Sequence, residues 1–406
     1  MTIIQTKKKN LVIMWIANFF VAASATMVLP FLSLYIGTFG DFSEEYVQRW
    51  SGFVFSISFL TALFFSPLWG RISDKHGYKR ILMITGFGIS ISVFFMGFVQ
   101  SVEQLFILRL LMGIVTGFIP TSIAFISAQT SKESAGKTLA TLQTGTVSGA
   151  LLGPLLGGLI VDLVGFQYTF MITSFFIFGA ALLVTFGVKE IKKEKKKNEK
   201  VYSRKEVFLQ IVQSPLLFMT MIVSLIIQVA NFSIQPVLAL YVNELNHGAN
   251  IALLAGLAFS ITGLGNLLAT RRWGQMGDKI GYEKVLIILL VISAVFFIPQ
   301  AFVTSLWQLV ILRFFFGVAL GGIIPCLTAY IRELSHSSVQ GEVLGYSVSF
   351  RFLGNVIGPS LGGILSGFFG ISSVFILTGS LFLVAAFILW FMVKREEQTA
   401  QRTLSA

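Results

Sequence analysis

One cysteine among 406 residues rules out a disulfide framework or a cysteine-built metal site within a single chain. It is Cys326, set in an apolar stretch without a partner. Histidine is scarce as well: His76, His247 and His336 fall in expected loops far apart in sequence and read as surface histidines. Neither a metal nor a cofactor is expected. Charged residues make up only 12% of the chain against 55% apolar ones, and a mean hydropathy of +0.83 excludes a water-soluble globular fold. No G-x-x-x-x-G-K-[ST] phosphate loop occurs, so ATP-driven transport is not expected. Enzyme chemistry within the bilayer would need a nucleophile cluster, a metal set or a carboxylate pair inside the apolar stretches. The sequence offers none, and the chain is not expected to be an enzyme.

Long apolar runs fill the chain instead. At roughly 20 apolar residues per crossing, its length holds about twelve helices and no sizeable soluble domain. The expected spans lie near 11–36, 48–69, 79–99, 104–127, 136–161, 167–188, 215–242, 251–273, 282–303, 307–331, 340–367 and 371–393. The fold class is therefore all-α integral membrane. The first run shows no small-residue cleavage site and reads as a retained span rather than a signal peptide. A net charge of +12 suggests nucleic acid until the 30 lysines and arginines are placed. With the N-terminus inside, 26 of them fall in inner segments, only Arg49 falls outside, and Arg109, Arg313 and Arg351 lie within spans. The positive-inside rule then places both termini in the cytoplasm, and the partner of the charge is the lipid bilayer.

The sequence also repeats itself. Residues 69–82 read WGRISDKHGYKRIL and residues 273–286 read WGQMGDKIGYEKVL, an offset of 204. QLFILR at 104–109 returns as QLVILR at 308–313, and GALLGPLLGG at 149–158 returns as GNVIGPSLGG at 354–363. Two homologous halves in a very apolar chain are the mark of a secondary transporter. The expected organisation is a six-helix bundle at 1–188, a basic cytoplasmic linker at 189–214 and a second six-helix bundle at 215–406. The same span order in both halves puts the repeat axis along the membrane normal, with substrate expected between the bundles and alternating access by rocking.

Three motifs carry a resemblance. Gly70, Asp74, Lys75, Gly77, Lys79 and Arg80 form a loop that resembles the motif between the second and third helices of the major facilitator superfamily. Gly274, Asp278, Lys279 and Gly281 are its second copy, which departs at Glu283, where the first has a basic residue. The glycines allow a tight turn and close helix approach, and Asp74 can meet the positive N-terminus of a neighbouring helix. In the family this contact latches one transport state, and Glu283 implies a weaker second latch. Gly149, Gly153, Pro154, Gly157 and Gly158 resemble the fifth-span motif of the family's antiporters. Their repeat at Gly354, Gly358, Pro359, Gly362 and Gly363 also fits a packing role in both bundles. Leu105 to Gly117 is similar to the family motif whose arginine, here Arg109, takes part in proton coupling, with Arg313 as its copy. A snorkelled structural arginine is the competing reading.

Arg351 sits about eleven residues into the eleventh span, where a charge should face a cavity or a partner. None of the 18 Asp and Glu falls centrally in a span. The nearest are Glu103, Asp162 and Glu342, and Glu103 and Asp162 join the arginines as coupling candidates. A cavity with Arg351 and no acid would favour neutral, zwitterionic or anionic substrates. Gln143, Gln228, Asn231, Gln235 and Asn355 are the uncharged polar candidates for substrate contact, or for bridging helices.

The resemblance covers essentially the whole chain and is nearest to multidrug exporters among the family's twelve-span drug:proton antiporters. It implies a monomer in a bacterial plasma (inner) membrane that expels varied toxic small molecules against proton influx. A dedicated exporter or flippase for a metabolite or lipid is the alternative, since the same scaffold serves those tasks.

Overall fold

Every described element of the computed structural model is helical. It describes residues 3–130, 134–190, 209, 211–246, 248–335 and 339–405. Most of the expected linker, 191–208, lies outside the described residues, as do Lys132, His247 and His336. The chain divides into two compact units, Met1–Lys197 with Leu238–Ser260, and Asn198–Val237 with Ile261–Ala406.

The helices are α1 Ile3–Val28, α2 Leu32–Ile36, α3 Glu44–His76, α4 Tyr78–Met96, α5 Val102–Ile114, α6 Phe118–Gln129 and α7 Ala135–Gly187, then α8 Pro215–Ser233, α9 Leu238–Leu245, α10 Ile251–Ile280, α11 Tyr282–Phe297, α12 Leu306–Glu333, α13 Gln340–Phe369 and α14 Ile371–Ser405. Among the described residues, eleven helical stretches are long and apolar enough to cross a membrane. The longest, α7, counts as two limbs because Gly165 breaks it at φ 82°, ψ 173°. Eleven stretches thus hold the twelve expected spans. Gly370 makes the same break between α13 and α14 at φ 79°, ψ 163°. Only glycine occupies that region without strain, so the two halves turn between their last two spans by one device.

Several expected spans are broken where proline removes an amide donor. The first is α1, a 3₁₀ turn Leu29–Phe31 around Pro30, then α2. The seventh is α8, a turn holding Pro236, then α9. PFLSLY at 30–35 and PVLALY at 236–241 are therefore a further echo between the halves, outside the three motifs. His76, expected in a loop, is the last residue of α3.

In the first unit α1 lies along α7, α4 packs on α7 and α6, and α3 packs on α5. In the second, α8 packs on α13 and α14, and α11 on α12 and α14. The second unit has a buried aromatic cluster, with Phe297 between Phe316, Phe375 and Phe382 at centroid distances of 4.9–5.7 Å. Such rings add attraction beyond the area they bury.

Candidate functional site

The duplicated turns repeat in backbone detail. Gly77 (φ 97°, ψ 142°) starts α4 and Gly281 (φ 99°, ψ 137°) starts α11, a region closed to other residues without strain. The Trp69 indole N–H donates to the Ile114 carbonyl at 2.6 Å and that of Trp273 to Val318 at 2.8 Å. Asp74 accepts from the Tyr78 hydroxyl at 2.6 Å, and Asp278 accepts likewise from Tyr282. Lys75, Arg80 and Lys279 are exposed and Lys79 is half-buried. The close helix approach expected at Gly70 and Gly274 falls elsewhere: a Cβ at either would touch nothing within 4 Å. The tight contacts are of Trp69 on Gly117 and Trp273 on Gly322.

Glu190, which lies outside the motif in sequence, completes the first turn. Its carboxylate accepts the backbone N–H of Tyr78 at 2.8 Å and of Lys79 at 3.4 Å, capping α4. In the second half Glu283 itself lies against Gly281. Asn10 fastens the residue before Glu190, donating to the Lys189 carbonyl at 2.8 Å and to Gln129 at 3.0 Å.

The glycine motifs form two seams. Along α7, Gly149 lies on Phe19 and Ala23, Gly153 on Ala23 and Thr26, and Gly157 on Met27 of α1. Along α13, Gly354 lies on Leu225 and Gln228, Gly358 on Val229 and Phe232, and Gly362 on Ser233 of α8. At each, a side chain would overlap main-chain atoms, so these positions let two backbones touch, where dispersion holds apolar helices together in lipid. Pro154, Pro359 and Gly363 are buried, and the Pro154 carbonyl lies against Gly256 of α10. Gly158 points to a different neighbour, Ala252 and Leu253 in the first turn of α10.

The two motif arginines do not snorkel. Arg109 is 4% exposed; its Nε donates to the Val54 carbonyl at 3.3 Å and Nη1 meets the Met112 sulfur at 3.6 Å. A cavity of about 20 Å³ beside it, lined also by Ser24, Ile89 and Phe170, has room for one water-sized guest. Arg313 is likewise 4% exposed, and its Nε and Nη2 find no partner among the described residues. Among those residues no carboxylate pairs with either buried guanidinium.

Arg351 is half-buried at the twelfth residue of α13. One turn further on, Asn355 accepts a bond from the Gln228 amide of α8 at 3.0 Å, which brings two of the five polar candidates together. Asn231 is half-buried one turn beyond Gln228, and Gln235 lies past the end of α8, in the turn before Pro236 rather than at mid-helix. Gln143 is exposed on α7 in the first unit. Glu103 is exposed in the first turn of α5. The Asp162 carboxylate accepts the N–H of Ala252 at 3.3 Å and of Leu253 at 2.7 Å. Asn18 is a candidate that the sequence motifs do not flag: it is fully buried in α1 with no partner for its amide among the described residues. Its signal is a lone amide in an apolar span, the same signal that marks Gln228.

A larger cavity, about 750 Å³, opens on the flank of α1 and α7, between Lys9, Ile13, Phe20, Phe176, Gly179 and Phe186. It contains none of the candidate residues.

The family model described as the Major Facilitator Superfamily matches residues 14–272 and 252–406. The "uncharacterized MFS-type transporter YuxJ" of Bacillus subtilis (strain 168) is 60% identical, the match covering 94% of this chain and 97% of that protein. "Multidrug resistance protein MdtG" of Dickeya zeae is 40% identical, covering 96% and 95%. A bacterial homolog of the human lysosomal transporter Spinster, solved in an inward-facing and occupied conformation, superposes with a TM-score of 0.79 over 96% of this chain and 97% of that one. Its 13% identity makes that likeness one of fold. Two homologous halves, eleven apolar helices of membrane-crossing length among the described residues and these matches over nearly the whole chain place it in the major facilitator superfamily, as a multi-pass membrane transporter similar to MdtG.

Proposed function

We propose that the chain is a proton-coupled exporter of varied drugs or toxic small molecules, working by alternating access in a bacterial inner membrane with both termini in the cytoplasm. The observation that carries this reading is the 40% identity, across nearly the whole of both chains, to proteins named for multidrug resistance. The antiporter-type glycine seam of α7 on α1 supports it. In this reading the Asp74 and Asp278 turns latch the conformational states, and Arg109 and Arg313 act in coupling. No acid stands at mid-span while Arg351 is half-buried beside the Gln228–Asn355 pair, which favours neutral, zwitterionic or anionic substrates.

Efflux of a panel of cationic, zwitterionic and anionic dyes and antibiotics, from cells expressing the chain with and without a protonophore, tests the proposal. Protonophore-sensitive export of several unrelated compounds is the expected result. Normal insertion with no efflux of any compound would shift the reading to a dedicated metabolite or lipid exporter.

A further inference from the structure

The second limb of α7 ends beside the start of α1, and the apolar cavity of about 750 Å³ on their flank is a groove that runs from Phe175 to Gly187. At its deeper end Phe20 and Phe176 stack, with ring centroids 5.4 Å apart and planes 16° from parallel. Gly179 lies half-buried on the wall, and a Cβ there would meet nothing within 4 Å. Glycine inside a helix weakens it relative to alanine. At Gly149, Gly153 and Gly157 a touching backbone requires it; at Gly179 the missing side chain provides only room in the groove. Lys9 lines the opposite end. The Asn10 side chain accepts the Lys189 N–H at 3.2 Å and donates to the Lys189 carbonyl at 2.8 Å, which holds a second lysine beside the first. Both lysines are exposed, and neither ammonium pairs with a carboxylate among the described residues. The neighbouring acid, Glu190, is turned to the amides of Tyr78 and Lys79.

From this geometry we infer that the groove binds one anionic glycerophospholipid of the cytoplasmic leaflet, with an acyl chain lying along Gly179 and the phosphate held by Lys9 and Lys189. Its volume falls within the roughly 300–1,000 Å³ of built ligand sites. Among the described residues that line it, Lys9 alone is charged, so the groove matches a long apolar body with a single anionic end. A soluble anion would leave the apolar length empty, and an uncharged chain would leave the two ammonium groups unmatched. By the distribution of basic residues the Lys9 end is the cytoplasmic one, where basic pockets between spans hold anionic headgroups. The lysine stems can lie along the apolar wall while their ammonium groups stay at headgroup level. A lipid seated there touches α1 and the second limb of α7 together and so braces the first unit. The inference does not depend on which compounds the chain exports.

The test uses the full-length protein, purified in detergent, stripped of lipid and reloaded with phosphatidylglycerol that carries a photoactivatable diazirine in mid-chain. We expect crosslinks concentrated on α1 between Ile13 and Phe20 and on α7 between Phe175 and Gly187. Crosslinks spread evenly over the helices would overturn the proposal. Retention of unmodified lipid, counted by native mass spectrometry, is the second readout: one phosphatidylglycerol should outlast the rest, and phosphatidylcholine should not. Lys9→Gln with Lys189→Gln should cut that retention at least fivefold. Arg271→Gln with Arg272→Gln removes the same charge from another exposed pair and should leave it unchanged. Gly179→Leu fills the groove from a position with open space around it, so the lipid should be lost while the protein stays monodisperse. Equal loss in the lysine and arginine pairs would mean that net charge alone attracts lipid, and full retention in Gly179→Leu would mean that no chain lies in the groove; either sinks the site. Where Gly179→Leu fails to fold, the crosslinks and the lysine pair decide. Inorganic phosphate at matched ionic strength should neither stabilise the protein nor displace the lipid, and stabilisation equal to that by phosphatidylglycerol would reduce the site to an anion contact and overturn the proposal.

Discussion

Gln228 of α8 donates its side-chain amide to Asn355 of α13 across 3.0 Å, at the place where Gly354 brings the two backbones together. In a lipid-embedded bundle such a bond contributes on average ~0.6 kcal/mol, with a maximum near ~1.7, because the separated helices also find polar partners. Replacing either residue by leucine should lower the thermal stability of the purified protein by about that amount, and by more than the double replacement does. A double-mutant cycle measured by thermal unfolding in detergent checks this, and additive losses would show that the bond contributes nothing. Transport measured in the same variants separates a bridging role from contact with substrate.

The glycines divide into two groups with opposite expectations. Gly153→Leu and Gly358→Leu must drive a side chain into the backbone of α1 or α8, and folded yield should collapse in both. Gly70→Ala and Gly274→Ala meet open space inside continuous helices, so stability should hold or rise by roughly 0.5–1 kcal/mol. Comparison of monodisperse yield and melting temperature decides. Loss of transport at full stability in Gly70→Ala would mean that a different transport state needs the gap.

Gly165 and Gly370 hold the same positive-φ backbone, one in each half. Alanine at either should cost on the order of 1–3 kcal/mol. Backbone strain alone accounts for that cost, because the added carbon has open space for 4 Å around it. Matching destabilisation by the two variants, read by thermal melts, is the expected outcome. A neutral Gly370→Ala would mean that the turn relaxes into another conformation.

Arg313 is buried with two guanidinium nitrogens unpartnered and without a carboxylate among the described residues. A buried cation of this kind opposes stability, and an apolar group of similar length removes that penalty. Arg313→Met should therefore keep or raise the melting temperature while proton-driven efflux falls. Arg313→Lys should retain burial and charge but lose part of the transport. A large loss of stability in Arg313→Met would assign the residue to packing.

How much of this was legible in the sequence depended on the distance over which each feature is encoded. Helix spans follow from runs of apolar residues, and breaks follow from Pro30, Pro236, Gly165 and Gly370, all local properties of the chain. The Gln228–Asn355 pair was visible only as two separate polar residues in apolar runs. Gln235 looked like mid-helix because its neighbours are apolar, although Pro236 ends the amide ladder beside it. The expectation of close approach at Gly70 failed because the small residue and the bulk that packs are displaced: Trp69 presses on Gly117, 48 positions away.

The sequence by itself determined that the chain is an all-helical, duplicated membrane transporter, because hydropathy, the placement of 26 basic residues and a repeated motif need no coordinates to be read. Only tertiary structure decided which partners the isolated polar groups take. Glu190 caps α4 from 112 positions away and Asp162 caps α10 from 90, while Arg109 and Arg313 turn inward rather than to the surface. These choices are made by which backbones come into contact, and helix amides offer the same cap to any carboxylate that packing brings within reach.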